Sequence, residues 1–284
     1  MAIERLGIVG SGIMGSGIAE VAAKAGVAVV LRSRKQETAD AVLTALERSL
    51  AKQVSRGRID EAEASAVRDR VSATTDLEAL AHCDMVIESV VEDLAVKKQL
   101  FAELDRIVAE GATLATNTST LPVVEMAVTT RRPEQVVGVH FFNPAPAMSL
   151  VEVVRTLLSG DQAVAGAVAF AELCGKDPVV VEDRAGFIVN ALLFPYLNNA
   201  VRMLENRTAT RDDIDAAMKG GCGFPMGPLA LLDLVGLDTS VAILDALYAE
   251  FRDPNYAAVP LLRRMLAAGQ LGRKSGSGFY DYRS

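Results

Sequence analysis

Hydrophobic positions divide the chain into two parts with different patterns. Up to about residue 183, short apolar runs alternate with longer stretches in which apolar residues recur every three or four positions. The runs include "RLGIVG", "VAVVLR", "MVIESV" and "VVGVHFF", which are typical of strands buried on both faces. Alternation of such strands with helices predicts an α/β domain over residues 1–185, Rossmann-type with a mostly parallel sheet.

The strand pattern stops beyond this first part. The segment "GFIVNALLFPYLNNAVRMLE" has the helical period, and several shorter helical segments follow it. We therefore expect an all-α C-terminal domain over residues 186–284. A chain of 284 residues is long for a single core, which agrees with two domains.

The first strand leads into a glycine-rich turn. Gly10, Gly12 and Gly15 have the spacing that lets a backbone approach a pyrophosphate, and Ile13 and Met14 lie in the same turn. The pyrophosphate would sit on the N-terminus of the next helix. A merely tight turn is the alternative. The strand before it and the helix and strand after it favour a dinucleotide site.

The second strand ends in Arg32-Ser33-Arg34-Lys35 and has no acidic residue. An NAD site usually carries Asp or Glu here, which bonds the ribose 2′-hydroxyl and repels a 2′-phosphate. Guanidinium and ammonium groups attract a phosphate instead. The pattern predicts that NADP(H) is preferred and NAD(H) is possible, unless these cations only face solvent.

A helical hairpin is predicted after this strand. The helical period runs from residue 36, Gly57 interrupts it, and Asp60 is suited to cap a second helix. The charged side of the hairpin carries Lys52, Arg56 and Arg58. These cations are either a solvated face or a clamp for an anionic ligand.

Polar residues collect where later strands end. Asn117 and Ser119 follow one strand, and His140 and Asn143 lie at the end of the next. Glu152 is in the following apolar run. Ligands of open parallel sheets bind at the carboxyl ends of strands, so His140, one of two histidines, is either a proton-transfer residue or a structural one.

Composition excludes several classes of protein. The formal net charge of −7 argues against nucleic-acid binding. No apolar run approaches the roughly 18 residues of a membrane helix, so no membrane partner is expected. Three cysteines without Cys-x-x-Cys spacing indicate thiols in a reducing compartment, hence a cytoplasmic location and no metal site.

Six segments in order, "GSGIMGSGIAE", "ATNTSTLPV", "GVHFFNPAPAMSLVEVV", "GFIVNALL", "FPMGPLALLDLVGLD" and "GRKSGSGFYDY", resemble the short-chain L-3-hydroxyacyl-CoA dehydrogenases. The bacterial 3-hydroxybutyryl-CoA members are the most similar. The resemblance implies reversible hydride transfer between C3 of an acyl-CoA and a nicotinamide cofactor, in fatty-acid or butanoate metabolism. Acetoacetyl-CoA and 3-hydroxybutyryl-CoA would be the substrates, and the C-terminal domain would form a homodimer.

The resemblance also implies roles for single residues. His140 and Glu152 match the catalytic pair, Ser119 the serine at the substrate oxygen, and Asn190 the asparagine near the substrate carbonyl. Ser49 and Arg56, with Lys52 between them, would contact coenzyme A. The implied cofactor contacts are Gly10, Gly12, Gly15, Glu92, Lys97, Ser119, Asn143 and Lys274, with Asn117 beside them.

The chain departs from the family pattern at two places. Ser33 replaces the ribose-binding acid, and Phe224 begins a Phe-Pro-Met-Gly-Pro motif that often begins with His. The sequence leaves two other functions open. One is a dehydrogenase of free β-hydroxyacids or sugar acids, which usually has a catalytic lysine. The other is a non-catalytic nucleotide-binding relative, against which His140, Glu152, Ser119 and Asn190 argue.

Overall fold

The computed structural model describes residues 3–283 and divides the chain into two compact units, the first ending at Asp183 and the second beginning at Arg184. Each unit has its own hydrophobic core. The core of the first unit packs helices against a sheet, and the core of the second packs helices against each other.

The first unit contains eight strands: β1 (Arg5–Val9), β2 (Ala28–Arg32), β3 (Val71–Thr74), β4 (Met85–Glu88), β5 (Thr113–Thr116), β6 (Val136–Phe141), β7 (Leu150–Arg155) and β8 (Asp177–Glu182). They form one sheet in the order β3-β2-β1-β4-β5-β6-β7-β8. Strands β1 to β6 are parallel, β7 runs antiparallel to β6, and β8 runs parallel to β7. The predicted Rossmann-type, mostly parallel sheet is confirmed.

Six helices belong to the first unit: α1 (Ile13–Lys24), α2 (Gln36–Ser55), α3 (Glu61–Asp69), α4 (Leu94–Ile107), α5 (Val123–Ala127) and α6 (Asp161–Leu173). Helices α2 and α3 form the predicted hairpin. Its turn contains Gly57 at φ +63°, and Asp60 Oδ1 accepts a hydrogen bond from the Glu63 backbone N–H at 2.8 Å, which caps α3.

The second unit consists of α7 (Val189–Glu205), α8 (Arg211–Cys222), α9 (Pro228–Val235), α10 (Leu237–Phe251) and α11 (Pro260–Ala267). The predicted helical C-terminal domain is therefore confirmed. No helix among residues 3–283 has the length and hydrophobicity needed to cross a membrane.

Buried Asp215 explains the Phe-Pro-Met-Gly-Pro motif. Its two carboxylate oxygens accept hydrogen bonds from the Leu229 and Ala230 backbone N–H groups at 2.8 and 3.0 Å, in the first turn of α9. A Cβ atom at Gly227 would lie 2.2 Å from Asp215 Cγ, so only glycine allows this approach. The motif packs one helix against another within the second unit.

Candidate active site

The glycine-rich turn lies at the carboxyl end of β1. Gly10 has φ +123°, and a Cβ atom on it would meet the Ser89 carbonyl oxygen at 2.3 Å. A Cβ atom on Gly15 would meet the Gly10 carbonyl oxygen at 2.0 Å. Gly12 precedes α1, and no side chain caps the N–H groups of the first turn of that helix. Ile13 is largely exposed and Met14 is half-buried beside it.

A cavity of about 950 Å³ opens beside this turn. The turn, the end of β2, the segment after β4 and the first turns of α4 line it. A Cβ atom at Gly12 would meet nothing within 4 Å, so the open side of the turn has room for a ligand. The uncapped N–H groups and the bare glycine surface fit a dinucleotide pyrophosphate.

The end of β2 lies on the same cavity. Ser33 is buried, and its hydroxyl is hydrogen-bonded to the Ser11 hydroxyl at 2.8 Å and also to the Thr38 hydroxyl. Arg34 and Lys35 line the cavity and are exposed. This wall therefore combines three hydroxyl groups with two cations.

The register of β6 and β7 sets His140 opposite Glu152. His140 Nδ1 lies 2.8 Å from Glu152 Oε2, and both side chains are buried. An ionised carboxylate can only accept, so with Glu152 ionised Nδ1 carries the hydrogen and Nε2 is left as an acceptor. His140 Nε2 lies 3.2 Å from Ser119 Oγ. The arrangement is an oriented base next to a hydroxyl group.

Glu92 holds the segment that carries Ser119. Its Oε1 accepts hydrogen bonds from the Ser119 backbone N–H at 2.9 Å and from the Thr118 hydroxyl at 2.5 Å. Its Oε2 lies 3.3 Å from Lys97 Nζ. The Glu92 side chain is 40% exposed. Its partial burial by itself would raise its pKa, but the charge of Lys97 and these hydrogen bonds hold that pKa below its ordinary value.

Lys97 is almost fully buried and lies between two carboxylates. Its Nζ donates to Glu88 Oε1 at 2.7 Å, and the Thr116 hydroxyl donates to the same oxygen. Glu88 Oε2 accepts a further hydrogen bond from the Val90 backbone N–H at 3.1 Å. This buried ionic cluster joins the ends of β4 and β5 to the start of α4.

Two asparagines lie near His140 in the chain. Asn117 Oδ1 accepts a hydrogen bond from the Phe141 backbone N–H at 2.8 Å, which ties the end of β5 to the end of β6. Asn143 is exposed in the loop after β6 and precedes a cis bond to Pro144. The ring of Phe142 in this loop packs on the His140 ring, with the centroids 4.5 Å apart.

The residues expected to contact coenzyme A lie on or at the end of α2. Ser49, Lys52 and Arg56 are spaced three and four positions apart, which places them on one face. Ser49 Oγ donates to buried Glu20 Oε2 on α1 at 2.8 Å. Lys52 and Arg56 are exposed, so their charges face solvent or a ligand.

The second unit carries the other two expected residues. Asn190 is buried in the first turn of α7. Lys274 lies in the C-terminal segment, and its Nζ forms an ion pair with Asp238 of α10 at 2.5 Å.

Sequence reasoning missed several residues that the fold brings to this edge: Ser11, Thr38, Glu88, Thr116 and Thr118. Position in the fold was the only signal available for them, because each lies in the glycine-rich turn, at or just after a strand end, or, for Thr38, in the first turn of α2. Among the described residues, no cluster of three or more His, Cys, Asp or Glu side chains could hold a metal ion.

Two family models match the chain in succession. Residues 5–184 match the 3-hydroxyacyl-CoA dehydrogenase NAD binding domain, and residues 186–282 match the C-terminal domain of the same enzymes. Together they cover almost the whole sequence.

Curated relatives and solved structures agree with these models. A 3-hydroxybutyryl-CoA dehydrogenase of Mycobacterium tuberculosis is 50% identical, and one of Clostridioides difficile is 45% identical; the alignments cover 98% or more of each chain. The crystal structure of Mycobacterium tuberculosis FadB2 has a TM-score of 0.97, 49% identity and full coverage of both chains. The crystal structure of (S)-3-hydroxybutyryl-CoA dehydrogenase PaaH1 from Ralstonia eutropha also has a TM-score of 0.97, at 38% identity and full coverage of both chains.

The lowered pKa of Glu92 predicts a pH-dependent contribution to stability. A carboxyl group with a depressed folded-state pKa stabilises the fold above its ordinary value, here 4.5, and loses that contribution as the pH falls through the folded-state pKa. Glu92→Gln should therefore lower the melting temperature at neutral pH and approach the wild type at acid pH. Melting scans from about pH 3.5 to 7 measure this difference. Glu172→Gln, at an exposed position, is the control. A difference in melting temperature between the wild type and Glu92→Gln that grows as the pH falls would contradict the interpretation.

Proposed function

The chain belongs to the 3-hydroxyacyl-CoA dehydrogenase family, and from this premise we propose that it interconverts 3-hydroxybutyryl-CoA and acetoacetyl-CoA. Similarity over the full length to 3-hydroxybutyryl-CoA dehydrogenases supports the reaction. The single structural observation that carries the proposal is the buried His140–Glu152 pair at 2.8 Å, with Ser119 on its far side.

The chain's own residues handle the proton. The bound nicotinamide supplies a hydride acceptor in the oxidative direction and a hydride donor in the reductive direction. His140 Nε2 accepts the proton of the 3-hydroxyl group in the first direction and returns it in the second. Glu152 holds the ring through Nδ1 and stabilises the imidazolium that forms.

Ser119 and Asn190 are proposed to bind the substrate. The Ser119 hydroxyl lies 3.2 Å from the proposed base, so it can donate to the substrate oxygen on which that base acts. Asn190 is assigned the carbonyl region because it matches the family's asparagine. Asn143, Glu92 and Lys97 are proposed cofactor contacts on the first unit, and Lys274 on the second.

Coenzyme A is proposed to bind along α2. Ser49, Lys52 and Arg56 share one face, and the two cations on it are exposed. Phosphate groups of the coenzyme A nucleotide are anionic ligands that such cations attract. The hairpin α2–α3 therefore has a role beyond connecting β2 to β3.

The first unit is an NAD-binding domain of this family, and we propose that it prefers NADPH. Ser33 takes the place of the ribose-binding acid, so no carboxylate at that position repels a 2′-phosphate. Arg34 and Lys35 border the same cavity and are exposed. Their charges suit the extra phosphate.

We also propose a homodimer formed through the second unit. Helix α7 exposes Leu192, at 72%, and Met203, and half-exposed Tyr196 lies between them on the same face. Exposed Asn199 lies on this face as well, and an exposed apolar patch edged by polar residues is typical of a protein interaction site. Cys83, Cys174 and Cys222 form no disulfides, which supports a cytoplasmic enzyme.

Substitution of the catalytic pair tests the proposed reaction. Removing a positioned acid–base group should lower kcat by roughly two to four orders of magnitude, so His140→Ala and Glu152→Gln should both lose activity with acetoacetyl-CoA. The double variant should be little worse than His140→Ala alone, because the two residues act as one unit.

Absorbance of the reduced nicotinamide measures this turnover, with free acetoacetate as the substrate control. Equal rates with free acetoacetate would favour the dehydrogenase of free β-hydroxyacids. Near-normal turnover of Glu152→Gln would refute the catalytic pair.

Arg56→Ala tests the coenzyme A site. A contact far from the reacting bond should raise KM for acetoacetyl-CoA more than it lowers kcat. The effect should shrink at high salt, because the phosphate attraction is then screened. Arg106→Ala is the control, since it removes an exposed cation at the C-terminal end of α4. An unchanged KM at low salt would show that Arg56 is a solvated surface residue and does not bind coenzyme A.

Cofactor preference is measured by kcat/KM with NADPH and with NADH. One charge-assisted bond to a 2′-phosphate contributes roughly 1.5–3 kcal/mol, so NADPH should be favoured on the order of tenfold to a hundredfold. Ser33→Asp should shift the preference towards NADH, mainly through the cofactor KM, because the new carboxylate repels the phosphate. Equal values for the two cofactors, or an advantage for NADH, would defeat the proposed preference.

A further inference from the structure

The loop between β6 and β7 spans residues 142–149 and carries Asn143. It lies against α1, the helix that begins at the glycine-rich turn. A Cβ atom added to Gly17 on α1 would lie 3.2 Å from Ala145 Cβ and 3.4 Å from Pro146 Cδ. Within the loop, the Met148 backbone N–H donates to the Pro144 carbonyl oxygen at 3.1 Å. The loop is therefore a compact turn packed on the cofactor helix.

Lys176 contacts the same loop from the start of β8. Its side chain is buried, with 9% of the residue exposed. Its Nζ donates to the carbonyl oxygens of Ala145 and Met148, both at 2.7 Å. The two carbonyl groups come from the middle and from the end of the turn. One ammonium group thus fixes two points of the loop.

The cation has no acidic partner. Among residues 3–283, no carboxylate lies within 4.0 Å of Lys176 Nζ. A buried charge without a carboxylate counter-ion is costly. Burial lowers the pKa of Lys176, the nearby Cys174 thiol acts to raise it, and the charge of Lys24 acts to lower it. The two hydrogen bonds to the loop carbonyl groups offset that cost.

We propose that Lys176 is a positioning residue, which holds the β6–β7 loop in the conformation that presents Asn143 to the nicotinamide cofactor. The inference rests on the proposed cofactor role of Asn143. The β6–β7 ladder sets His140 opposite Glu152, and the loop contacts the His140 ring through Phe142, whereas Lys176 binds the loop at Ala145 and Met148. Lys176 therefore acts on cofactor binding and leaves proton transfer unchanged.

The Kd of NADH, measured by fluorescence on the full chain, tests this role. Lys176→Met removes the donors and retains the stem, and it should raise the Kd about tenfold, since the Ala145 and Met148 carbonyl groups lose a charged partner. Lys176→Arg keeps the charge and the donors, and it should stay within about threefold of the wild type. The pH profile of kcat should not move. Lys219→Met, on the exposed face of α8, is the control.

A double-variant cycle separates positioning from a purely structural role. If Lys176 acts through Asn143, adding Lys176→Met to Asn143→Ala should weaken NADH binding no further. A lysine that only stabilised the fold would lower the melting temperature and leave the Kd of the folded protein unchanged, which would overturn the inference. Additive losses of binding would overturn it as well.

The same measurements distinguish failure of the two proposals. An unchanged Kd in Asn143→Ala would refute the cofactor role of Asn143 and, with it, the positioning role of Lys176. A weakened Asn143→Ala together with a normal Lys176→Met would refute the positioning role alone. If Lys176→Met does not fold, Lys176→Gln is measured in its place; an unchanged Kd there refutes the inference, and a raised Kd supports it.

Discussion

The pairing of β6 with β7 in opposite directions places an imidazole and a carboxylate on the same face of the sheet. In an antiparallel pair, residues directly opposite each other have side chains on one face, so the register brings His140 and Glu152 within hydrogen-bonding distance. The glycine-rich turn and Ser119 lie at the carboxyl ends of parallel strands, and this position alone brings them to the same edge of the sheet as His140. The proposed site therefore depends on the one place in the sheet, between β6 and β7, where neighbouring strands run in opposite directions.

A buried ionic cluster organises the neighbouring strand ends. Burying Lys97 with Glu88 costs desolvation energy for both charges, which close pairing and further hydrogen bonds offset. The Thr116 hydroxyl donates to Glu88, and the Thr118 hydroxyl donates to Glu92. Glu92 also accepts a hydrogen bond from the Ser119 backbone N–H, which links the cluster to the segment of Ser119. The segment around Ser119 is thus fixed by charges that do not themselves touch the imidazole.

Much of the fold could be predicted because the apolar pattern is strong where strands are fully buried. All four residues of β4 and all six of β6 are buried, and apart from Glu88 and His140 near their ends these strands appear in the sequence as apolar runs. Strands β3 and β8 lie at the two edges of the sheet, and most of their residues are not buried, so the same signal is weak there. Edge strands have fewer packing constraints on their composition.

The site was predictable only in part. Glycine spacing and strand ends pointed to Gly10, Ser119 and His140, because phosphate binding and parallel sheets place strict demands on these positions. The contacts of Lys176 gave no signal, since a lysine before a strand is ordinarily a surface residue. Its partners are backbone carbonyl groups, and their positions depend on how the whole loop folds.

The antiparallel turn also affects the order in which the sheet can assemble. His140 and Glu152 are 12 residues apart, whereas β1 must pair with β4 through Leu6 and Met85, which are 79 residues apart. Loop-closure entropy makes the shorter connection cheaper by about 1.7 kcal/mol, so the hairpin can nucleate locally while the parallel pairs await long-range collapse. The His140–Glu152 pair is thus encoded in a contiguous segment of about 20 residues, whereas the nucleotide cleft needs pairings across longer connections, such as that of β1 with β4.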